Sequence, residues 1–448
     1  MTGPAARLRM AVSPAGALHV GPARIVLANW LLARRLGGHV SLRVEDGEPG
    51  RDTAEAQAAL RHDLRWLGLD WDEEASQAAQ SERYARAAET LRTAGRLYPC
   101  FESEVELNAK RVRRVRQGQP ATYDRAMLKL TPAQRAAAEA GGKRPYWRFR
   151  LSDTAVAWDD LVLGPRRVML ASLSDPVMIR ADGTSLAAFA GAIDDFEDGI
   201  THLVRGEDLT STTAIQLDLA AALGHDPAAI ALAHLPAAAD ADGDRLSRRA
   251  GNLSLHALRQ RGVEATALAG YLARLGSAGE PRPSTPAELA AGYDLAALGR
   301  AAPRFDIRRL LAVNRQALAL LPFAGVADRL PHGTTEAFWQ AVRGSLDLLS
   351  EARGYWEVVA GTIVPPIIEG EAEFLRTALD TLPAEPWDAT VWATWTDALK
   401  RATGRAGKSL TLPLRLALTG EDQGPNLQAL LPLIGRPRAA HRLAVAAS

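Results

Sequence analysis

A strand, a turn, a helix and a second strand follow one another within residues 7–46, and this unit constrains the fold more than any other stretch. An apolar run over Arg7–Val12 breaks at a proline- and glycine-containing turn, and apolar residues then recur at helical spacing over 20–36. Two glycines follow, and a second apolar run, His39–Val44, ends on an acidic pair. The spacing predicts a βαβ unit with parallel strands, and hence an α/β fold.

Ligands of parallel sheets bind where strand ends meet helix N-termini. His19 is followed by Gly21 and Pro22, so a phosphate could approach backbone amides closely at this helix start. Neither a Walker loop nor a G-x-G-x-x-G run is present in the sequence, which disfavours the P-loop and dinucleotide classes. A nucleotide site is predicted, with an ordinary helix start as the alternative. The residues at this edge are Arg9, Ser13, Gly16, His19, Gly21 and Glu45.

Composition bounds the class of protein. The chain has 448 residues, of which 47% are hydrophobic and 23% charged, so it has room for two to four domains. Its single cysteine, Cys100, excludes internal disulfides and a cysteine-rich zinc site within one chain. The sequence contains neither an apolar run of membrane-spanning length nor a leader pattern, so we expect a cytoplasmic protein without membrane association.

The net charge of the chain is only +1, so the overall charge gives no indication of nucleic-acid binding. Phosphate contacts need local positive surface rather than a basic pI. Two basic clusters are candidates for RNA contact, and a solvated helix face is the alternative for each. Their members are Lys110, Arg111, Arg113 and Arg114 in the first cluster, and Lys400, Arg401, Arg405 and Lys408 in the second.

Several motifs in this order resemble those of the class I aminoacyl-tRNA synthetases, specifically the glutamyl-tRNA synthetase family. They are SPAGALHVGPAR followed by RVED, then LRWLGLDWDE, LVRGEDL, the loop DRLSRRAG, and LPLRLALTG with LLPLIGR. The resemblance covers nearly the whole chain. It implies an α/β fold with a Rossmann-like catalytic domain, an inserted acceptor-binding subdomain and an all-helical C-terminal anticodon-binding region.

The resemblance also implies a domain order. The catalytic domain would occupy 1–76 and 186–256, the second part with the signature loop. The acceptor-stem-binding insertion would occupy 77–185, a helical stem-contact domain 257–322 and a helical anticodon-binding domain 323–448. Some members of the family carry a zinc cluster in the insertion, and we expect none here.

Activation of an amino acid joins its carboxylate to the α-phosphate of ATP, so positioning and charge neutralisation dominate the chemistry. By resemblance, His19 and Gly21 are catalytic and face ATP with its Mg²⁺, and Arg248 and Arg249 neutralise pyrophosphate. The implied ATP-binding set is Gly16, His19, Gly21, Leu246, Ser247 and Arg248.

A glutamate substrate needs cations for its side-chain carboxylate and an anion for its α-ammonium. Arg9 and Arg205 suit the first role, Glu45 suits the second, and Ser13 can add a hydroxyl contact. The alternative is that Arg205 forms a structural ion pair with Glu207.

Two departures from the family leave the function open. Ala187 stands where members usually carry a tyrosine, and the signature loop reads Arg245-Leu246-Ser247-Arg248-Arg249 instead of the common K-L-S-K-R. We predict a monomeric glutamate–tRNA ligase that uses tRNA-Glu, with tRNA-Gln as an open second substrate. The alternatives are a weakened paralogue that only binds tRNA, and a ligase for another small amino acid.

Overall fold

The computed structural model describes residues 5–14, 16–47, 53–240, 242–243, 246 and 253–448. The chain forms two compact units. The first unit comprises Met1–Ala257 with Ala269–Asp306, and the second comprises Leu258–Leu268 with Ile307–Ser448. None of the helices in the described ranges has both the length and the apolar composition needed to cross a membrane.

The predicted βαβ unit is confirmed. Strands β1 (Arg7–Val12) and β2 (His39–Val44) are parallel and flank helix α1 (Val20–Arg35). Helix α2 (Ala54–Trp66) begins after Thr53, whose side chain accepts a hydrogen bond from the amide of residue 56. The chain then adds a third parallel strand, β3 (Glu73–Ser76), beside β2.

An inserted segment follows, with antiparallel pairing of β4 with β5, β5 with β8, and β6 with β7. Helix α4 begins with a capping box between Ser103 and Glu106, and it has no buried residue, so it is an exposed helix. The elements of this segment are α3 (Ser81–Thr93), β4 (Leu97–Cys100), α4 (Glu104–Arg116), α5 (Pro132–Ala140), β5 (Tyr146–Phe149), β6 (Ala155–Asp160), β7 (Gly164–Met169) and β8 (Val177–Ile179).

The parallel strands resume with β9 (His202–Gly206) and β10 (Ala231–Leu235). The amide of Thr201 donates to the carbonyl of Arg7 at 2.9 Å, which brings β9 beside β1. Arg205 on β9 is paired in register with His234 on β10, so their side chains share one face of the sheet. The helices associated with these strands are α6 (Ala187–Glu197) and α7 (Thr210–Ala222).

The elements that follow β10 in the described part of the chain are helical, as the resemblance implies for 257–448. They are α8 (Leu255–Gln260), α9 (Ala265–Arg274), α10 (Pro286–Ala290), α11 (Ile307–Leu320), α12 (Glu336–Val342), α13 (Ala352–Ala360), α14 (Ala372–Asp380), α15 (Val391–Thr403), α16 (Lys408–Thr419), α17 (Leu427–Ile434) and α18 (Arg436–Ala446). The core of the second unit is built around Phe338, Trp339 and Trp395, with leucines from α15 to α18.

Candidate active site

Three buried arginines from three strands converge on one carboxylate. Arg9 on β1 donates to Asp195 through Nε at 2.9 Å and through Nη2 at 3.3 Å. Arg43 on β2 donates from Nη1 to the same carboxylate at 2.6 Å, and Nη2 of Arg205 on β9 lies 3.5 Å from it. All four side chains are at least nine-tenths buried. The parallel strands therefore place a cluster of positive charge at one point against α6.

The local register explains why these arginines meet. Arg9 pairs with Ser41 and Ala11 pairs with Arg43 in the β1–β2 ladder. Register partners of a parallel pair project to the same side, and alternate residues of one strand share a face. Arg9 and Arg43 consequently lie on one face of the sheet, and Arg205 reaches the same carboxylate from β9.

The cluster carries more positive than negative charge. Burial by itself would raise the pKa of Asp195, but the charges of Arg43 and Arg9 hold it well below its usual range. Burial, followed by repulsion from Arg9, lowers the pKa of Arg205 to about 10. The second carboxylate near the cluster is Glu45, whose Oε1 lies 3.5 Å from Nη2 of Arg43. Asp194 also acts on Arg43 but is itself paired with Arg83 at 3.2 Å. The three guanidinium groups of the cluster therefore face two carboxylates, and a further anion would balance their charge.

Donors also remain unused inside the cluster. The Nε atoms of Arg43 and Arg205 are buried and have no hydrogen-bond partner among the described residues. A buried N–H without an acceptor costs free energy, and an anionic ligand would supply the acceptor. Sequence reasoning selected Arg9 and Arg205 but missed Arg43 and Asp195. The RVED motif contains Arg43, and it was the one signal that could have identified it.

Glu45 and Ser13 follow adjacent strand ends. The amide of Glu45 donates to the carbonyl of Val12 at 2.9 Å, so the two positions are neighbours at the carboxyl edge of the sheet. Ser13 is exposed and Glu45 is half-buried.

The alternative derived from the sequence, an Arg205–Glu207 ion pair, is not what the structure contains. Arg205 pairs with Asp195, and Glu207 accepts a hydrogen bond from the amide of Ala237 at 2.9 Å.

The backbone at the start of α1 has open space beside Gly16 and Gly21. His19 is the N-cap residue, in an extended backbone conformation, and its carbonyl accepts from the amide of Ala23 at 2.9 Å. No described atom lies within 4 Å of the position that a Cβ would occupy at Gly21 or at Gly16. Neighbouring residues therefore do not require glycine at these positions, which suits close approach of a ligand to the backbone.

The signature loop lies partly outside the described residues. Ser247, Arg248 and Arg249 are among the residues that the structure does not describe. Leu246 is half-buried, and its amide donates to the carbonyl of Ala238 at 3.1 Å. A cavity of about 380 Å³ lies beside the residues that follow β10. Its lining residues are Glu207, Asp208, Ala237, Ala238, Ala239, Gly243 and Ala302.

A larger cavity of about 700 Å³ opens between α3, the end of β2 and the inserted sheet. Three arginines that sequence reasoning did not select, Arg92, Arg144 and Arg180, contribute to its lining. Arg92 and Arg180 are 88 positions apart in the sequence, so no local pattern marks the three arginines. Tyr84 also lines it, and its hydroxyl donates to Asp194 at 2.9 Å.

The two basic clusters differ in how much of their charge is already paired. Lys110 forms ion pairs with Glu102 and Asp124, whereas Arg111 and Arg113 are exposed on α4. Arg114 uses its Nε to bond the carbonyl of residue 120 at 2.9 Å.

In the second cluster, Lys400 pairs with Asp397 at 2.9 Å, and Arg405 pairs with Glu371. Arg401 donates to the carbonyl of Asp397 at 3.3 Å, and Lys408 is exposed at the start of α16. The charge of this cluster is therefore only partly neutralised.

Residues 5–288 match the family described as "tRNA synthetases class I (E and Q), catalytic domain", and residues 367–447 match an "Anticodon binding domain". The chain therefore belongs to the class I tRNA synthetases. Within that class it groups with the glutamate–tRNA ligases. It is 57% identical to "Glutamate--tRNA ligase 2" of Acidiphilium cryptum over 98% of this chain and 99% of that protein. The protein of the same name from Gluconacetobacter diazotrophicus is 53% identical over 98% of this chain and 100% of that protein.

A solved structure shares the fold. The glutamate tRNA ligase of Elizabethkingia meningosepticum, determined in complex with its amino acid, superimposes with a TM-score of 0.82 at 23% identity and covers 99% of both chains. The family and the fold class predicted from the sequence are thus confirmed.

Proposed function

We propose that this chain is a glutamate–tRNA ligase, which converts glutamate and ATP to glutamyl-adenylate and pyrophosphate and then transfers the glutamyl group to the 3′ end of tRNA. The observation that carries the proposal is the buried cluster of three arginines, which has an excess of positive charge and N–H donors without a partner among the described residues. It occurs in a chain whose full-length relatives bear the name glutamate–tRNA ligase.

The glutamate side-chain carboxylate binds the arginine cluster, where Arg9, Arg43 and Arg205 provide planar, charged donors. Glu45, close to Arg43 and half-buried, receives the α-ammonium group. Ser13 contributes a hydroxyl from the neighbouring strand end. In this arrangement the α-carboxylate is left directed toward the start of α1.

The phosphates of ATP bind at that helix start, next to Gly16, His19 and Gly21, because helix N-termini favour anions. An oxygen of the glutamate α-carboxylate attacks the α-phosphorus, and the bond to the pyrophosphate oxygen breaks. Leu246 and Ser247 contact ATP, and Arg248 and Arg249 neutralise the pyrophosphate. Mg²⁺ accompanies the nucleotide, and it needs few protein ligands when phosphates and water coordinate it.

Binding of tRNA involves two regions of the chain. The insertion over 77–185 receives the acceptor stem, with Arg111 and Arg113 as the exposed charges of the first cluster, and 323–448 receives the anticodon. The domain bounds at 76, 185, 256 and 322 belong to this proposal, as do a monomeric state and a cytoplasmic location.

One observation favours a second candidate, a tRNA-binding paralogue that no longer activates glutamate. Ala187, the first residue of α6, is exposed and offers neither the hydroxyl nor the ring of the tyrosine common in the family. Tyr84 lines the large cavity, but its hydroxyl is already engaged by Asp194.

Aminoacylation of total homologous tRNA with radiolabelled glutamate and ATP tests the proposal. Each component is omitted in turn, and the labelled tRNA is identified by hybridisation. We expect label on tRNA-Glu that depends on ATP, and label on tRNA-Gln would extend the substrate range. Binding of tRNA without any labelling would favour the paralogue, and labelling by another amino acid would favour the third alternative.

A further inference from the structure

Two side chains of α7 hold one nitrogen of the Arg205 guanidinium in place. Its Nη1 donates to Oε1 of Gln216 at 2.6 Å and to Oγ1 of Thr213 at 3.1 Å, both on α7. Its Nη2 lies near Asp195 instead, and its Nε has no partner among the described residues. Two acceptors therefore hold Nη1, Asp195 lies near Nη2, and Nε is available to a ligand.

Thr213 in turn lies between Arg205 and a fully buried histidine. Its Oγ1 is 2.8 Å from Nε2 of His234, which is the register partner of Arg205 on the neighbouring strand. The other ring nitrogen of His234, Nδ1, forms a hydrogen bond with the carboxylate of Asp160. A continuous chain of polar groups thus runs from Asp160 through His234 and Thr213 to Arg205.

Asp160 is held in its ionised form. Its Oδ1 accepts from the amides of Val162 at 3.1 Å, Leu163 at 2.9 Å and His234 at 3.1 Å. Burial by itself would raise the pKa of Asp160, but the hydrogen bonds from the His234 ring and from these amides lower it to about 2. The carboxylate therefore acts only as an acceptor, and Nδ1 of His234 must carry a proton.

This arrangement directs a lone pair of Thr213 at Arg205 in either state of the histidine. With neutral His234, Nε2 accepts the hydroxyl proton of Thr213. With protonated His234, Nε2 donates to the hydroxyl oxygen, whose own proton then goes to the carbonyl of Leu209 at 3.0 Å. In both cases the hydroxyl proton points away from Arg205, so Oγ1 remains an acceptor for its Nη1.

We propose that Asp160, His234 and Thr213 are positioning residues that fix the guanidinium of Arg205 for binding the carboxylate of the amino-acid substrate. The inference rests on the proposed function. None of the three touches the substrate, and each acts through Arg205. Such supporting hydrogen bonds decide binding because a charged donor misplaced by a fraction of an ångström loses its bidentate geometry.

The test compares two replacements of Thr213. Thr213→Val keeps the shape of the side chain but removes the hydroxyl, and Thr213→Ser keeps the hydroxyl. The KM for glutamate is measured in tRNA aminoacylation at saturating ATP and tRNA. We expect about a tenfold increase for Thr213→Val, with the KM for ATP unchanged, and a value near that of the parent for Thr213→Ser. Thr213→Ala gives the same readout should the valine variant not fold.

A matched control is Thr396→Val, which also removes a buried hydroxyl that bonds to the carbonyl four residues earlier in its helix. Thr396 lies on α15, in the second unit, whereas Arg205 lies in the first. This control should leave the KM for glutamate unchanged. A second variant, His234→Gln, tests whether His234 acts on Arg205 through the hydroxyl of Thr213. The double variant His234→Gln, Thr213→Val should show a KM no higher than Thr213→Val alone, because the hydroxyl that His234 orients is already absent.

Three results would overturn the proposal. They are an unchanged glutamate KM in folded Thr213→Val, equal impairment in Thr213→Ser and Thr213→Val, or multiplication of the two single effects in the double variant. Failure of the proposed function is distinguishable from these, because the unsubstituted protein would then not charge tRNA with glutamate at all.

Discussion

Buried arginines occur in both units, and they are satisfied in different ways. In the first unit, Arg9, Arg43 and Arg205 share the carboxylate of Asp195, and the Nε atoms of two of them have no partner in the part of the chain that the structure describes. In the second unit, Arg442 on α18 is equally buried. It donates to the carbonyls of residues 418, 358 and 361 at 2.7, 2.7 and 3.2 Å.

The difference separates a binding group from a structural cross-link. The acceptors of Arg442 lie at or near the C-terminal ends of α13 and α16, where helices leave carbonyls without internal partners. Arg442 therefore completes the hydrogen bonding of its own domain. The three arginines that converge on Asp195 instead bring like charges together, and they keep N–H donors without a partner among the described residues. We expect replacements in the two regions to affect different measurements.

Arg205→Ala should give the largest effect. Removing one partner of a buried charged pair weakens an interaction by about 2–5 kcal/mol, so kcat/KM for glutamate should fall by roughly thirtyfold to several thousandfold. The free energy of unfolding should change little, because burial and repulsion from Arg9 already disfavour the charged form of Arg205 in the folded state. Steady-state aminoacylation and urea denaturation give the two numbers. A large loss of stability with ordinary glutamate kinetics would make Arg205 a structural residue like Arg442.

Arg442→Leu should do the opposite. Three carbonyl groups lose their donor at roughly 1 kcal/mol each, so the free energy of unfolding of the second unit should fall by about 3 kcal/mol. The KM for glutamate should stay at the value of the parent. Arg436→Leu is the control, because Arg436 is exposed and forms a single hydrogen bond, to the carbonyl of Pro383. Equal urea midpoints for the two variants would refute the cross-link.

Acid should weaken the first unit through Asp160. Its folded-state pKa of about 2 lies below the ordinary value of 3.8, so its stabilising contribution is present above pH 4 and is lost as the pH falls through 2. We expect the parent to lose roughly 2 kcal/mol more than Asp160→Asn over that interval. Arg442 stays charged throughout, because burial lowers its pKa only to about 10. Unfolding curves at several pH values measure the difference, and identical acid profiles would contradict it.

Ala187→Tyr should have the smallest effect, and it sharpens the description of the glutamate site. A restored neutral hydrogen bond contributes about 1 kcal/mol, so the KM for glutamate should fall about fivefold. Ala187→Phe supplies the ring without the hydroxyl and serves as the control. Equal KM values for the tyrosine and phenylalanine variants would show that the hydroxyl makes no contact with glutamate.

Local sequence determined the elements that carry the site. The apolar periods predicted β1 and β2 with the bounds that the structure has, and α1 to within one residue. Such patterns are readable because a strand or helix face repeats every few residues. The ordered motifs also identified the family and the fold class. Arg9 and Arg205 were selectable from the sequence because a guanidinium group suits the side-chain carboxylate of a glutamate substrate.

Only the tertiary structure decided which charges face one another. Asp195 is 186 residues from Arg9, and Asp160 is 74 residues from His234, so no local spacing connects them. The sequence likewise did not indicate that Lys110 is paired while Arg111 is exposed. Pairing of buried charges depends on distance and dielectric at the folded position, and those quantities exist only once the strands and helices have packed.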